Sequence, residues 1–250
     1  MKTLILTITG NEQDGKNTTN NINRFHKLPD NFEYKVYSNY SLSGAIKQDF
    51  TYFNEMFYRL KDVILQYDYL MLLDGDDWFT SNKLTYISEI LEKNKNKYYY
   101  IHNQAYYNSK TYDYQGVNHN NSCITVKTDK IDFELFKNTK SLSDYLLWLP
   151  IIKNDLIIER KLTYINLRKF DYPDFHDYMY KRYLLRYNDL QILLKQIPKK
   201  TMMHKRVKDE YNKYSSILNG KTQFSDLFTY INKNKGVDWF IKREYKLIGD

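Results

Sequence analysis

Residues 68–80 read DYLMLLDGDDWFT, an apolar run that ends abruptly in three aspartates within four residues. The run is too short for an isolated helix and leads into an acidic turn, so it predicts a buried β-strand. Asp74 and Gly75 alone would also fit an ordinary hairpin turn. However, Asp74, Asp76 and Asp77 follow the carboxyl end of this strand, which is where ligands bind in parallel α/β sheets.

Strand and helix patterns alternate on both sides of this stretch. Strands are recognised as short apolar or β-branched runs, and helices as apolar residues three or four positions apart. This alternation predicts an α/β fold with a mainly parallel sheet flanked by helices. The strand candidates are 3–9, 33–38, 67–73, 97–108 and 121–127, and the helix candidates are 49–66, 81–94, 129–138 and a helix beginning near 141–149.

The chain becomes helical and basic from about residue 174. Residues 171–250 hold 16 Lys and Arg against 10 Asp and Glu, which gives them +6 of the formal net charge of +8. We therefore predict an α/β domain over 1–170 and a basic helical extension over 171–250 packed on it. Such a basic region is compatible with nucleic acid, an anionic membrane surface or water as its partner.

Several classes of protein are excluded by composition. The single cysteine, Cys123, rules out an internal disulfide and a cysteine-based zinc site. No apolar run approaches the length of a membrane span, and the start MKTLILTITG is interpreted as a first strand rather than a signal peptide. We predict a soluble, cytoplasmic protein.

The acidic cluster suits one particular chemistry. Two carboxylates one residue apart at a strand end can converge on a hard divalent cation, and Mg²⁺ or Mn²⁺ takes one or two carboxylates together with phosphate oxygens. A second acidic point is Asp144 in SLSDYLLWLP, with Ser143 as the expected N-cap of a helix. Asp144 fits either a helix-start residue, favoured by the helix dipole, or a general base.

The order of these motifs resembles that of family 2 glycosyltransferases of the GT-A fold, inverting enzymes that use nucleotide-sugar donors. The resemblance covers roughly residues 1–170, and its most specific match is YDYLMLLDGDDWFTSNKL at 67–84, which is similar to the family's metal-binding strand, loop and helix. The other matching segments are ILTITGN at 5–11, VYSNYS at 36–41, YYYIHNQAYYNSKTYDYQG at 98–116 and SLSDYLLWL at 141–149.

The resemblance implies a GT-A-like sheet with a Rossmann-like nucleotide-binding half, and it implies roles for particular residues. Asp76 and Asp74 would hold Mn²⁺ or Mg²⁺, and Asp144 would be the general base. The partners would be a nucleotide-sugar donor, with a UDP-sugar favoured, and a glycan, glycoprotein or lipid-linked acceptor. The implied donor contacts are Thr9, Asn11, Ser38, Asn39, Asp74 and Asp77. Trp78 and Trp148 fit either stacking contacts with a sugar or acceptor, or core aromatics beside the sheet ends.

Departures from the family pattern keep other interpretations open. Ser38 and Asn39 stand where the family has an Asp pair, and Pro150 stands where it often has Arg. One alternative is therefore a catalytically silent GT-A-like domain that binds a sugar nucleotide. A basic nucleic-acid-binding protein is a weaker alternative, because no recognised nucleic-acid motif is present. The basic C-terminal helices fit a solvated helical cap over the sheet, and the alternative is a peripheral contact of these helices with the inner face of a membrane.

Overall fold

The structure is a computed structural model. It describes residues 1–10, 15–25, 27–75, 77–79, 83–94, 99–107, 112–117, 121–148, 156–166 and 175–219. Within these ranges, the backbone alone is described for 99–107, 112–117, 123, 148, 156–166 and 175–180. No helix of the described residues is both long and apolar enough to cross a membrane.

The described part of the chain alternates strands and helices before it ends in two long helices. The strands are β1 (Thr3–Thr9), β2 (Phe32–Ser38), β3 (Ile46–Lys47), β4 (Tyr69–Leu72), β5 (Asp77–Phe79), β6 (Tyr99–Tyr107), β7 (Tyr112–Val117), β8 (Ile124–Lys127) and β9 (Leu156–Asn166). The helices are α1 (Gly15–Arg24), α2 (Phe53–Arg59), α3 (Lys61–Ile64), α4 (Lys83–Lys93), α5 (Glu134–Lys137), α6 (Ser143–Trp148), α7 (Phe175–Gln196) and α8 (Met202–Leu218).

All nine strands belong to one sheet, in the order β3-β2-β1-β4-β8-β6-β9-β5, with β7 paired to β6. The half β3-β2-β1-β4 is entirely parallel. In the other half β8 runs antiparallel to both of its neighbours, while β6 and β9 are parallel to each other. Since β8 is antiparallel to β4, the residues that precede β8 lie beside the carboxyl end of β4.

Two hydrophobic clusters cover the two faces of the sheet. Residues of β1 and β4 alternate between them, because successive side chains of a strand point to opposite faces: Leu4 and Leu70 join one cluster, while Ile5 and Met71 join the other. Every residue of β1 and β4 is buried. The first cluster packs the sheet against α2, α3, α5, α6, α7 and α8, and the second packs it against α4.

The C-terminal helices share the larger cluster with the sheet. Tyr183 and Leu190 of α7 and Tyr214 of α8 are buried in it together with Leu146 of α6. The basic helices predicted from residue 174 are therefore present in α7 and α8 and packed on the α/β part. The proposed division at residue 170 stays a prediction, and the helices expected after 220 lie outside the described residues.

Some predicted elements differ from the structure. The helix expected over 49–66 is split into α2 and α3 at Leu60, whose φ and ψ of −84° and 5° depart from helical values. The helix expected over 129–138 is a 3₁₀ turn followed by the short α5. β3, β5 and β9 were not predicted as strands. The prediction of a mainly parallel sheet flanked by helices is confirmed, and β8 enters this sheet antiparallel between β4 and β6.

Candidate functional site

The parallel half of the sheet brings three strand ends to one edge. Thr9 at the end of β1 is in register with Ser38 at the end of β2. Leu72 of β4 is in register with Leu6, and the N–H of Leu73 donates to the Leu6 carbonyl at 3.0 Å. The acidic loop after β4 therefore starts at the same edge as Thr9 and Ser38.

The acidic loop begins with a tight turn. The N–H of Asp77 donates to the carbonyl of Asp74 at 3.0 Å, which closes a four-residue β-turn around Gly75. The interpretation of this sequence as a turn is thus correct. It is compatible with a binding role, because the turn lies at the sheet edge where a ligand would be held.

Asn121 connects the acidic loop to the helix that carries Asp144. Its Nδ2 donates to Asp74 Oδ1 at 3.1 Å and lies 3.2 Å from Ser143 Oγ. The Ser143 hydroxyl is also 3.2 Å from Asn121 Oδ1 and can donate to it. Asp74 and the residue next to Asp144 are therefore two side-chain contacts apart, although 69 positions separate them in sequence.

Ser122 binds the acidic loop through two hydrogen bonds of its hydroxyl. Its hydroxyl accepts the N–H of Asp74 at 2.9 Å and donates to Asp77 Oδ2. Its carbonyl accepts from Lys83 Nζ at 2.9 Å. Asp77 is 1% exposed and Lys83 is fully buried, so two opposite charges lie in the interior. Both are hydrogen-bonded to Ser122, Asp77 to its hydroxyl and Lys83 to its carbonyl. Buried charges of this kind are tolerated when they are hydrogen-bonded and compensated.

Asp144 is half-buried in the first turn of α6, with its Oδ1 accepting the N–H of Tyr145 at 2.9 Å. A cation of α7, Arg186, interacts with it electrostatically. The pKa of Arg186 in α7 lies above its ordinary value: burial alone would lower it, but Tyr214 and the Asp144 carboxylate raise it. Arg186 Nη1 also donates to the Tyr214 hydroxyl at 2.9 Å.

The start of α6 differs from the expected cap. The helix begins at Ser143, and the carbonyl of Leu142 accepts the N–H of Leu146 at 2.8 Å, so Leu142 occupies the cap position. The prediction that Ser143 is the N-cap is therefore wrong. Its hydroxyl contacts Asn121 instead, and Leu142 takes a left-handed conformation with φ 66°.

Thr9, Ser38 and Asn39, the predicted donor contacts at the ends of β1 and β2, form local hydrogen bonds at the edge. The N–H of Asn39 donates to the Thr9 carbonyl at 3.4 Å, and its Nδ2 donates to the Phe50 carbonyl at 3.3 Å. Ser38 Oγ accepts the N–H of Tyr40 at 3.2 Å. Thr9, Ser38 and Asn39 thus lie together at this edge, and their role as donor contacts stays a prediction.

The remaining predicted residues divide into two groups. Trp78 is half-buried, and the guanidinium of Arg24 lies 4.2 Å from its ring centroid in a cation–π contact, so one face of the ring is covered. Asn11, Asp76 and the Trp148 side chain lie outside the described residues. The described residues contain no group of three His, Cys, Asp or Glu side chains that could hold a metal.

Sequence reasoning missed the residues that join these parts. Asn121 and Ser122 carry no recognisable motif, since their importance depends on β8 lying beside β4. Lys83 stands at the start of a predicted helix, where a surface position is the ordinary expectation. The signal that points to Arg186 is only the basic character of the region after residue 174.

The fold is that of a known group of structures. No protein-family model matches the sequence, and no curated protein matches it. Among solved structures, residues 1–349 of S. aureus TarS match with a TM-score of 0.57 and 14% identity, over 94% of this chain and 76% of that chain. This likeness confirms the predicted GT-A-like α/β fold.

Two ligand complexes of the same TarS fragment are also similar. The complex with UDP has a TM-score of 0.57 at 14% identity, over 93% of this chain and 78% of that chain. The complex with UDP-GlcNAc has a TM-score of 0.53 at 14% identity, over 93% and 79% of the two chains. At such identity the likeness concerns the fold, and the ligands are those of TarS.

Proposed function

We propose that this protein is a glycosyltransferase that moves a sugar from a nucleoside-diphosphate sugar to an acceptor hydroxyl. The observation that carries the proposal is the connection from Asp74 through Asn121 to Ser143, next to Asp144, at the carboxyl edge of a GT-A-like sheet. One end of this connection suits a diphosphate, and the other suits an acceptor. The UDP and UDP-GlcNAc complexes of TarS support a uridine donor.

The donor end fits a divalent cation by the chemistry of its side chains. Carboxylate oxygens are the ligands that Mg²⁺ and Mn²⁺ prefer, usually one or two together with phosphate oxygens. Asp74 and Asp76 would hold the cation and Asp77 would secure the loop from inside. When bound, the cation would neutralise the charge that develops on the departing diphosphate.

Proton transfer and positioning in the proposed reaction would be carried out by Asp144 and Asn121. Asp144 would accept the proton of the acceptor hydroxyl as that oxygen attacks the anomeric carbon. Asn121 would keep the Asp74 carboxylate and the start of α6 at a fixed separation. The attack would be a single displacement with inversion, as in family 2 enzymes, and retained anomeric configuration in the product would contradict it.

The donor half of the proposal is tested by thermal stabilisation. A ligand that binds the folded state raises the melting temperature, by about 5–10 °C for a chain of this size at 100 times its Kd. We expect UDP with Mn²⁺ to stabilise the wild type, and Asp76→Ala to lose the Mn²⁺-dependent part. The control is Asp62→Ala, at an exposed aspartate of α3. Equal stabilisation of Asp76→Ala and wild type would contradict the metal site.

The catalytic half is tested by release of UDP from UDP-GlcNAc and other UDP-sugars, with and without acceptor mixtures. Asp144→Asn should keep UDP binding and lose about 10²- to 10⁴-fold in turnover, the range for loss of a general base. Near-normal turnover would contradict the assignment of Asp144.

A catalytically silent sugar-nucleotide-binding domain is the second candidate. The observation that favours it concerns Ser38 and Asn39, which stand where the family has carboxylates. The Ser38 hydroxyl accepts the N–H of Tyr40, and the Asn39 amide donates to the Phe50 carbonyl, so both side chains are hydrogen-bonded within the protein. Wild-type protein that binds UDP but releases none from any UDP-sugar would support this candidate.

Membrane contact is part of the proposal for the acceptor side. Lys199, Lys200, Lys205 and Lys208, in and before α8, are exposed, and Met202 is 71% exposed beside them. These residues would dock on an anionic membrane near a lipid-linked acceptor. Flotation with phosphatidylserine vesicles tests this, and no association at low salt would contradict it.

A further inference from the structure

The segment just before α6 has an unusual backbone. Leu142 has φ 66°, the only positive φ among the described residues other than glycine, and its side chain is buried. A non-glycine residue in this conformation is strained and persists only where its surroundings determine it. Two residues later the chain reaches Asp144, so the unusual conformation sets the direction in which α6 begins.

Asp189 of α7 holds this segment from one side. Its Oδ2 accepts three hydrogen bonds, from the N–H of Lys140 at 3.1 Å, the N–H of Ser141 at 2.7 Å and the hydroxyl of Ser141 at 2.5 Å. Two successive backbone N–H groups aimed at one oxygen fix the peptide orientation directly before Leu142.

Asn54 of α2 holds the same segment from the other side. Its Nδ2 donates to the Ser141 carbonyl at 2.6 Å and to Thr139 Oγ1 at 2.9 Å. Both backbone groups of Ser141 are therefore bonded to side chains from separate helices. We call Asn54, Ser141 and Asp189 the Ser141 clamp.

The clamp contains a buried carboxyl group, that of Asp189. Asp189 is 2% exposed, and burial raises the pKa of its carboxyl although the bonds from Ser141 and Lys140 lower it. A carboxylate in the interior costs free energy unless it is well hydrogen-bonded. One turn earlier on the same helix, Arg186 donates to the Tyr214 hydroxyl and interacts electrostatically with Asp144. α7 thus bonds to the segment before α6 through Asp189 and places a cation whose field reaches Asp144 in α6.

We propose that Asp189 is a positioning residue which, through Ser141 and the left-handed Leu142, sets the orientation of α6 and hence of Asp144 toward the acceptor. This inference rests on the proposed function, in which Asp144 is the base. It makes α7 part of the catalytic apparatus rather than a cover over the sheet.

The test compares Asp189→Ala with the conservative Asp189→Asn. Because all three hydrogen bonds go to one oxygen, an asparagine with its Oδ1 in that place keeps the acceptor, whereas alanine removes it. The exposed Asp62→Ala in α3 is the matched control. Each protein is assayed, below its melting transition, for UDP stabilisation and for UDP release from UDP-GlcNAc with Mn²⁺.

We expect Asp189→Ala to lower kcat by about 10- to 100-fold, the effect of moving a reacting group by about 1 Å. KM for UDP-GlcNAc and stabilisation by UDP should be unchanged, and Asp189→Asn should recover most of the loss. Hydrogen exchange should accelerate in residues 140–148 of Asp189→Ala but not of Asp189→Asn.

Two results overturn the inference alone. One is a kcat of Asp189→Ala equal to that of the control, and the other is a loss of UDP binding in parallel with kcat, which would indicate general structural damage. A wild type that neither binds UDP nor releases it from UDP-GlcNAc would instead overturn the proposed function, and with it the role of Asp144.

Discussion

Asn121 Nδ2 lies 3.1 Å from Asp74 Oδ1 and donates a hydrogen bond to it. The pair joins the loop after β4 to the residues before β8, two places that are adjacent only because β8 enters the sheet antiparallel to β4. The same amide contacts Ser143, so one side chain joins the acidic loop, the proposed donor end of the site, to the start of α6, the proposed acceptor end.

Asn121→Ala should therefore impair turnover more than stability. Removing the amide frees the Asp74 carboxylate and the start of α6 from a fixed separation, and we expect a loss in turnover of about 10- to 100-fold. The free energy of unfolding should fall by only about 1.5–3 kcal/mol, the range for a hydrogen bond to a charged group. UDP release and urea denaturation measure the two effects. Asn212→Ala, at an exposed position of α8, is the control, and an equal turnover in both variants would contradict this role.

Ser122→Ala should act first on stability. The substitution removes the hydroxyl that donates to the buried Asp77 carboxylate and accepts from the Asp74 N–H. Leaving a buried polar group without its partner costs about 1–3 kcal/mol, which corresponds to a fall in melting temperature of roughly 2–4 °C per kcal/mol. The exposed Ser43→Ala should melt like wild type. A melting temperature unchanged in Ser122→Ala would show that Asp77 is held by other contacts.

Arg186→Leu should lower stability, because it removes a bond between α7 and α8. Arg186 Nη1 donates to the Tyr214 hydroxyl at 2.9 Å, and a hydrogen bond to a charged group contributes about 1.5–3 kcal/mol. We expect urea denaturation to show a fall of that size in the free energy of unfolding. Lys195→Leu, which removes an exposed charge from the last turn of α7, serves as control. Equal unfolding free energies of the two variants would show that the bond to Tyr214 does not stabilise the packing of α7 on α8.

Asp189 should give the protein a recognisable pH dependence of stability. Burial raises the pKa of its carboxyl above the ordinary 3.8, so the folded state binds the proton more tightly than the unfolded state. Its contribution to stability is fully present below about pH 4 and is lost as the pH rises through the raised pKa.

The comparison of wild type with Asp189→Asn isolates this contribution, because asparagine does not titrate. Urea denaturation at several values between pH 4 and pH 7 should find the variant gaining stability relative to wild type as the pH rises. If the free energies of unfolding of wild type and Asp189→Asn changed equally with pH, the pKa of Asp189 would be the same in the folded and unfolded states.

Strands could be predicted from the sequence where every residue of the strand is buried. β1 and β4 are fully buried apolar runs, and such runs are recognisable without knowledge of their neighbours. β9 mixes charged and apolar residues in LIIERKLTYIN and is held by its pairing with β6, a relationship between distant residues that no local period reveals. The placement of Asp74 at a sheet edge was therefore predictable, whereas that of Asn121 was not.

The segment before α6 illustrates a second limit. Leucine is among the residues that rarely adopt a positive φ, so no pattern rule assigns this conformation to Leu142. The conformation depends on Asn54 and Asp189, which come from two other helices. The helix containing Asp144 could be predicted from its apolar spacing, but the way it begins could not.

The Ser141 clamp also has a consequence for the order in which the molecule takes shape during synthesis. The contact between Ser141 and Asp189 spans 48 positions, while the strands of the parallel half are complete by Leu72. Chains fold from the N-terminus as they are made, and distant contacts form after local ones. A nascent chain can therefore have the parallel half of its sheet before the segment leading to Asp144 is fixed, and the last partner of that segment arrives only when α7 has docked.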